Sequence, residues 1–314
     1  MAHFLVVGDA AVDQMYFVSE FPEPGSETAA IRSVMEPGGA GGTVATVLAR
    51  LGNRTCIATR VGRGAFAEVA LRNLKAAGVD LQMVQYDETL QTNSVTLVVT
   101  PDAQRTMISS AGASRMLDVA ELDESLVAGC DAVVMSAYSL VGGRQREYAL
   151  RVLDLARRAR LTTFVDLGTG AVHALKARLL DDVQGVDFLL MNEHELYLIT
   201  GRHSISEAVK DLRGLGFDQL IVKVGEMGSI VISPESNELV EAHEIDGVVD
   251  STGAGDYYTA AFAHAVMRGH EPISAARMAN VAGALNTSRV GAQSVVFDAR
   301  TLEERGSALS SVPA

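Results

Sequence analysis

Short apolar runs of strand length alternate with helix-period segments through most of this chain. That alternation restricts it to a mostly parallel sheet whose strands are joined by crossover helices. The rhythm opens at Phe4–Val7, Gly42–Arg50, Thr55–Val61 and Phe66–Ala77. It resumes at Ala132–Ser136, Arg144–Arg158, Thr162–Asp166, Val186–Met191, Glu193–Ile199, Ile205–Leu212 and Gln219–Val224, and helical periodicity dominates from about Ala254 onward. Two stretches break it. Met15–Val34 carries Pro22, Pro24 and Gly25 between strand-like pieces, and Leu81–Ser110 reads as several strands around a Pro101–Asp102 turn. Both read as antiparallel ribbons set into an α/β body. A small sheet above the carboxyl ends of a parallel sheet would act as a lid, where open α/β folds bind ligands. No repeat or linker divides the 314 residues, so 1–314 reads as one domain with lid segments at about 15–34 and 81–110.

A formal net charge of −13 argues against a chain that grips nucleic acid or an anionic membrane through a broad basic surface. A phosphorylated ligand would instead be held locally, by backbone N–H groups, a metal ion and a few placed cations. Cys56 and Cys130 form no C-x-x-C pair and no cluster of zinc spacing, which speaks against a disulfide framework or structural zinc and fits a reducing cytoplasm. The opening MAHFLVVGDAAVD has no basic leader, and no run approaches membrane-spanning length.

The strongest local signal is Asp250-Ser251-Thr252-Gly253-Ala254-Gly255-Asp256, running into the helix-period segment Tyr257–Arg268. Glycines leave backbone N–H groups uncovered where a helix begins, and the helix dipole adds positive potential there. Asp256 in the first turn sets a carboxylate beside this anion hole, the arrangement that phosphorylation of a hydroxyl needs. A plain capped helix is the simpler alternative. Elsewhere, Asn192 and Glu195 have the spacing of a capping box at the start of a helix. Gly38–Gly42 precedes another helix, either as a tight turn or as a place where a ligand approaches the backbone.

The string DSTGAGDYYTAAFA resembles the C-terminal signature of ribokinase-like (PfkB-type) sugar kinases, D-T-x-G-A-G-D, with Ser251 in place of the usual Thr. Further motifs follow in the family's order from Gly8 to Gly291. Gly8 to Asp13 resembles G-x-x-x-x-D, and Gly38 to Ala45 resembles G-G-x-x-x-N-x-A with Thr43 at the Asn position. Asn192 to Glu195 matches N-x-x-E, and Val222 to Gly228 resembles the nucleotide-binding turn, with Lys223 for the common Thr. The resemblance implies an ATP-dependent phosphotransferase of ribokinase-like fold, with a β-sheet lid and lids that pair in a homodimer. It makes Asp256 the base, with the backbone of Gly253, Ala254 and Gly255 as anion hole. Asp13, the backbone of Gly39, Ala40 and Gly41, Thr43 and the lid residue Arg105 would hold the acceptor. Asn192, Lys223, Gly225, Gly228 and Asn280 would bind ATP, and Glu195 would hold Mg²⁺ through water. Asp250, Thr252, Asn286, Arg289 and Gly291 fall where some members ligate a monovalent cation such as K⁺, largely through backbone oxygens.

Gly62-Arg63-Gly64 after a strand mimics a dinucleotide fingerprint, but in the second βα unit and with a poorly placed acid. The G-x-x-x-x-G-K-[ST], H-E-x-x-H and G-x-S-x-G patterns are absent. His194 reads as helix surface, and Tyr257 and Tyr258 as packing. The sequence Leu167-Gly168-Thr169-Gly170 replaces the D-P-N-x-R run of many fructose and ketodeoxygluconate kinases, and Thr43 departs from the ribose pattern. Those departures leave room for an unusual, even anionic, sugar met by Arg105 or Arg32. A nucleoside kinase of the same fold is the alternative, followed by a non-catalytic ligand-binding regulator.

Overall fold

The computed structural model describes residues 1–102 and 104–308. The chain runs β1 (His3–Val7), β2 (Ala11–Phe17), β3 (Arg32–Gly38), α1 (Ala40–Arg50), β4 (Arg54–Val61), α2 (Ala65–Ala76), β5 (Val84–Tyr86), β6 (Ser94–Val99), β7 (Arg105–Ser110), α3 (Glu124–Ala128), β8 (Ala132–Ser136) and α4 (Gly143–Ala159). It continues with β9 (Thr162–Asp166), α5 (Thr169–Leu175), α6 (Ala177–Asp182), β10 (Phe188–Asn192), α7 (Glu193–Thr200), α8 (Ile205–Gly214), β11 (Leu220–Lys223), β12 (Ser229–Ile232), β13 (Asn237–Val240), α9 (Ala254–Met267), α10 (Pro272–Asn286) and α11 (Ala299–Ala308).

The main sheet has the order β13-β12-β11-β10-β9-β8-β1-β4-β5, parallel from β11 to β5 and closed at one edge by antiparallel β12 and β13. Its inner strands are apolar on both faces because helices cover both. Phe4, Val6, Phe164 and Ile221 pack toward α1, α9 and α10, while Leu5, Val7, Val133 and Val165 pack toward α4 and its neighbours. Phe164 and Phe188 stack at 5.0 Å, and Phe262 of α9 meets both edge-on at 6.3 and 5.5 Å. Such aromatic contacts fix α9 on the sheet, and with it the orientation of its first turn.

The glycines at the start of α1 have a packing reason. A Cβ on Gly41 would lie 2.5 Å from the carbonyl carbon of Gly8, and one on Gly8 would lie 2.7 Å from the Gly41 Cα. Backbone here touches backbone, so α1 begins directly against the turn after β1.

The second sheet has the order β3-β2-β6-β7, two antiparallel pairs joined by a parallel pairing of β2 with β6. Its limits differ from those read in the sequence. It begins at Ala11 and extends to Gly38, so Asp13 sits on a strand, whereas Val84–Tyr86 joins the main sheet beside β4. The alternation of β2 was hidden because its first residues, Ala11-Val12-Asp13, are all buried against the body. The edge strand β7 is exposed along its length. No helix of the described residues is long and apolar enough to cross a membrane.

Candidate active site

A cavity of about 370 Å³ opens at the carboxyl ends of the parallel strands. Its walls are Ala40 and Gly41 of α1, Ser136 and Tyr138 after β8, Asp166 to Thr169 after β9, Asn192 and Glu195, Lys223 and Gly225, and Gly255, Asp256 and Thr259 of α9. The first turn of α9 thus faces the cavity with Gly255 and the Asp256 carboxylate, whereas the Ala254 amide, expected in the anion hole, donates to the Ser251 carbonyl at 3.2 Å. Gly253 caps the helix at φ +80°, and a Cβ there would fall 2.7 Å from the carbonyl oxygen of Ala292. Only glycine satisfies both constraints.

Below Asp256 lies a nearly buried ion pair. Lys223 Nζ donates to both oxygens of Asp166 at 2.7 and 2.9 Å, and Thr259, three residues after Asp256, donates to Asp166 at 2.6 Å. Burial, then the neighbouring Asp166, raises the Asp256 carboxyl well above the ordinary Asp value, with Lys223 pulling the other way. Burial alone would lower Lys223, but Asp166 and Glu195 hold its ammonium above the ordinary lysine value, so it stays charged. Neither Asp166 nor Thr259 was singled out in the sequence. The signal for Asp166 is its place at the carboxyl end of a buried strand; nothing local marks its partner, 57 residues away.

Asn192 and Glu195 form the full capping box of α7. Asn192 Oδ1 accepts from the Glu195 amide at 2.8 Å, and Glu195 Oε2 accepts from the Asn192 amide at 3.0 Å. Glu195 also accepts from the Thr169 hydroxyl at 3.1 Å and lines the cavity, where burial raises its carboxyl. Each oxygen keeps a lone pair beyond these bonds, so the carboxylate can still meet a metal ion or its bound water. Among the described residues no cluster of three or more His, Cys, Asp or Glu is arranged to ligate a metal.

Asp13 is 6% exposed, and a Cβ on Gly38 would run into its carboxyl group. Burial, then the charges of Asp9 and Asp250, pushes the Asp13 carboxyl up to about 7. Asp9, also absent from the sequence reading, accepts from Asn93 at 2.5 Å, and its other oxygen has no partner.

Other expected residues have structural partners. Thr43 is fully buried, and its hydroxyl accepts from Gln293 at 3.3 Å. Asn280 donates to the carbonyls of Val240 and Glu241 at 2.9 and 3.0 Å, tying α10 to the end of β13. Gly225 lines the cavity, while a Cβ on Gly228 would collide with the Val240 carbonyl, so Gly228 serves the β-turn. Arg105 reaches not into the cavity but onto Asp250 at 2.6 Å, and Ser251 at 2.7 Å. Asp250 also accepts from the Thr252 and Gly291 amides, both at 2.9 Å, and Asn286 donates to the Thr252 carbonyl at 2.7 Å. Burial would raise Asp250, but these donors hold it below the ordinary Asp value. Within the set read as a monovalent-cation site, the Asp250 carboxylate and the Thr252 carbonyl are thus met by N–H donors and a guanidinium, while the buried Asn286 Oδ1 has no partner among the described residues. Arg289 is exposed. The Gly62–Gly64 decoy packs against the Leu90–Thr92 loop, where a Cβ on Gly62 would collide with the Leu90 carbonyl.

The family model described as pfkB family carbohydrate kinase matches residues 1–299. The chain belongs to this family. It is 30% identical over 304 residues to a nucleoside kinase of Methanothermobacter thermautotrophicus, covering 94% of this chain and 92% of that one. It is 23% identical to a deoxyribokinase of Salmonella typhi over 92% of this chain and 94% of that one. The structure of Arabidopsis thaliana ribokinase complexed with ribose and ATP superimposes with a TM-score of 0.83 at 25% identity, covering 97% and 98% of the two chains. This pfkB-family protein is an ATP-dependent kinase of a sugar or nucleoside, and its α/β body with a separate small sheet is the ribokinase-like fold.

Proposed function

We propose that this kinase transfers the γ-phosphoryl group of ATP to a hydroxyl of a neutral polyhydroxylated acceptor, with Asp256 as general base. One observation carries the reading: a single cavity joins the Asp256 carboxylate, the open amides of the α9 N-terminus and the charged Lys223 ammonium. Asp256 takes the acceptor proton as the hydroxyl oxygen bonds to phosphorus and the bond to ADP breaks. The amides of Gly255 and Asp256, with Lys223, stabilise charge on the phosphoryl oxygens, each well-placed donor contributing about 3 to 4 kcal/mol in comparable sites. Mg²⁺, when bound with ATP, would neutralise phosphate charge, with Glu195 and Asn192 positioned to hold its waters.

The two cations that the motifs offered are already engaged, Arg105 by Asp250 and Lys223 by Asp166. That pairing supports a neutral acceptor over a sugar phosphate or sugar acid. Nucleosides are the second reading, favoured by the 30% identity to a nucleoside kinase. We further infer a cytoplasmic homodimer joined through the lids, a reading supported by Met107 and Ile108, each 64% exposed on β7. The acceptor test is Mg²⁺-dependent ADP release across pentoses, hexoses, nucleosides, sugar phosphates and sugar acids. Turnover with neutral acceptors is expected; turnover confined to anionic ones would overturn the acceptor assignment.

A further inference from the structure

Arg105 opens β7 at the outer edge of the lid, and its guanidinium crosses to the turn that leads into the anion hole. One Nη donates to Asp250 Oδ1 at 2.6 Å and to the Thr252 hydroxyl, and the other donates to Ser251 Oγ at 2.7 Å. These three residues directly precede Gly253. Asp250 is the hub of the turn: Oδ1 also accepts from the amide and hydroxyl of Thr252 at 2.9 and 2.7 Å, and Oδ2 accepts from the Gly291 amide. The Asp250 side chain is 9% exposed, and its ion-pair partner is Arg105. In its sheet β7 pairs with β6 alone among the described residues, and this contact ties the edge strand to the catalytic turn, 145 residues away.

We propose that Arg105 is a positioning residue that latches the lid to the anion-hole turn, its guanidinium supplying the positive charge that a monovalent cation would supply there. The inference rests on the kinase reading given above. A planar fork can satisfy three oxygens at once, and a lysine ammonium on a single stem cannot reproduce that geometry. Lid opening breaks all three contacts together, so the turn is held in its anion-binding form when the lid is closed. Arg105 therefore acts through Asp250 and Thr252, without touching the acceptor.

The test compares wild type, Arg105→Ala, Arg105→Lys and Ser251→Ala in steady-state kinetics in K⁺, Na⁺ or choline chloride, with and without millimolar guanidinium. Arg105→Ala should lower kcat about tenfold or more for every acceptor, leave acceptor KM within about twofold, and recover with guanidinium. Arg105→Lys should not recover it, and wild type should be indifferent to the monovalent cation. Ser251→Ala, which changes no charge, should lower kcat by a smaller factor at constant KM. A large rise in acceptor KM at constant kcat would make Arg105 an acceptor contact, and unchanged kinetics would make it an inert surface pair; either overturns the latch. Hydrogen exchange provides a readout independent of turnover. Arg105→Ala should speed exchange in 94–110 and 250–256 together, and exchange left unchanged in both also overturns the proposal. Absence of ADP release by wild type with coupled exchange intact would sink the kinase reading and leave the latch standing.

Discussion

Asp166 and Lys223 make their hydrogen bonds with side chains only 13% and 16% exposed. At about 4 Å between charge centres, an effective dielectric near 20 gives an attraction of about 4 kcal/mol, offset by desolvation of both ions. Removing one partner leaves the other charge without compensation, so Lys223→Met should cost about 3 kcal/mol of stability. Asp166→Asn should cost a comparable amount, because it strands the ammonium. The double variant should cost about 2 kcal/mol less than the sum of the two, the coupling expected of neighbours in one network. Urea unfolding of the four proteins measures it. Activity provides a second readout with opposite signs. Because the base must be ionised, kcat/KM climbs as pH rises through the Asp256 value. That value is raised by burial and Asp166 and lowered by Lys223. Lys223→Met should move the acidic limb to higher pH, and Asp166→Asn should move it to lower pH. Additive stabilities within about 0.5 kcal/mol, or limbs that move in the same direction, would refute the account of the pair.

Asp13, pushed up to about 7, must be ionised to accept two acceptor hydroxyls, so kcat/KM for the acceptor should fall below about pH 7. Asp13→Asn should remove that ionisation and leave only the acidic limb set by Asp256 in a pH series at fixed ATP. Gly253→Ala places a side chain at φ +80° and against the Ala292 carbonyl, which should cost more than the 1 to 2 kcal/mol of left-handed backbone alone and should lower kcat. Gly255→Ala, whose Cβ would meet only Lys223 Nζ at 3.4 Å, should melt like wild type, so thermal unfolding of the two variants separates the roles of these glycines.

The parallel core was legible because its strands are short, continuous and apolar, and because Asn192 and Glu195 announce α7 by a local rule that the structure reproduces. The position of Asp256 was legible for the same reason: a glycine-rich turn before a helix is local physics. Long-range pairings were not. Arg105 read as a lid cation for a ligand, yet it binds Asp250; Lys223 read as a phosphate cation, and its resting partner Asp166 gave no signal. Thr43 and Asn280 sit at motif positions but spend their polar groups on Gln293 and on carbonyls of Val240 and Glu241. The antiparallel edge β12 and β13 escaped notice because each strand is only four residues long.

The most direct measurement is ADP release by Asp256→Asn beside wild type, with ATP binding and urea stability followed from pH 5 to 9. A carboxyl whose folded value is raised adds stability below its unfolded value, and that stability is lost as pH rises through the folded value. The amide introduced by Asp256→Asn does not ionise, so the variant should bind ATP and grow more stable relative to wild type as pH rises. It should also lose turnover by a factor of at least about 100 to 10,000, the range for a general base. Turnover kept near the wild-type level in a folded, ATP-binding variant would contradict the assignment of Asp256 as the base.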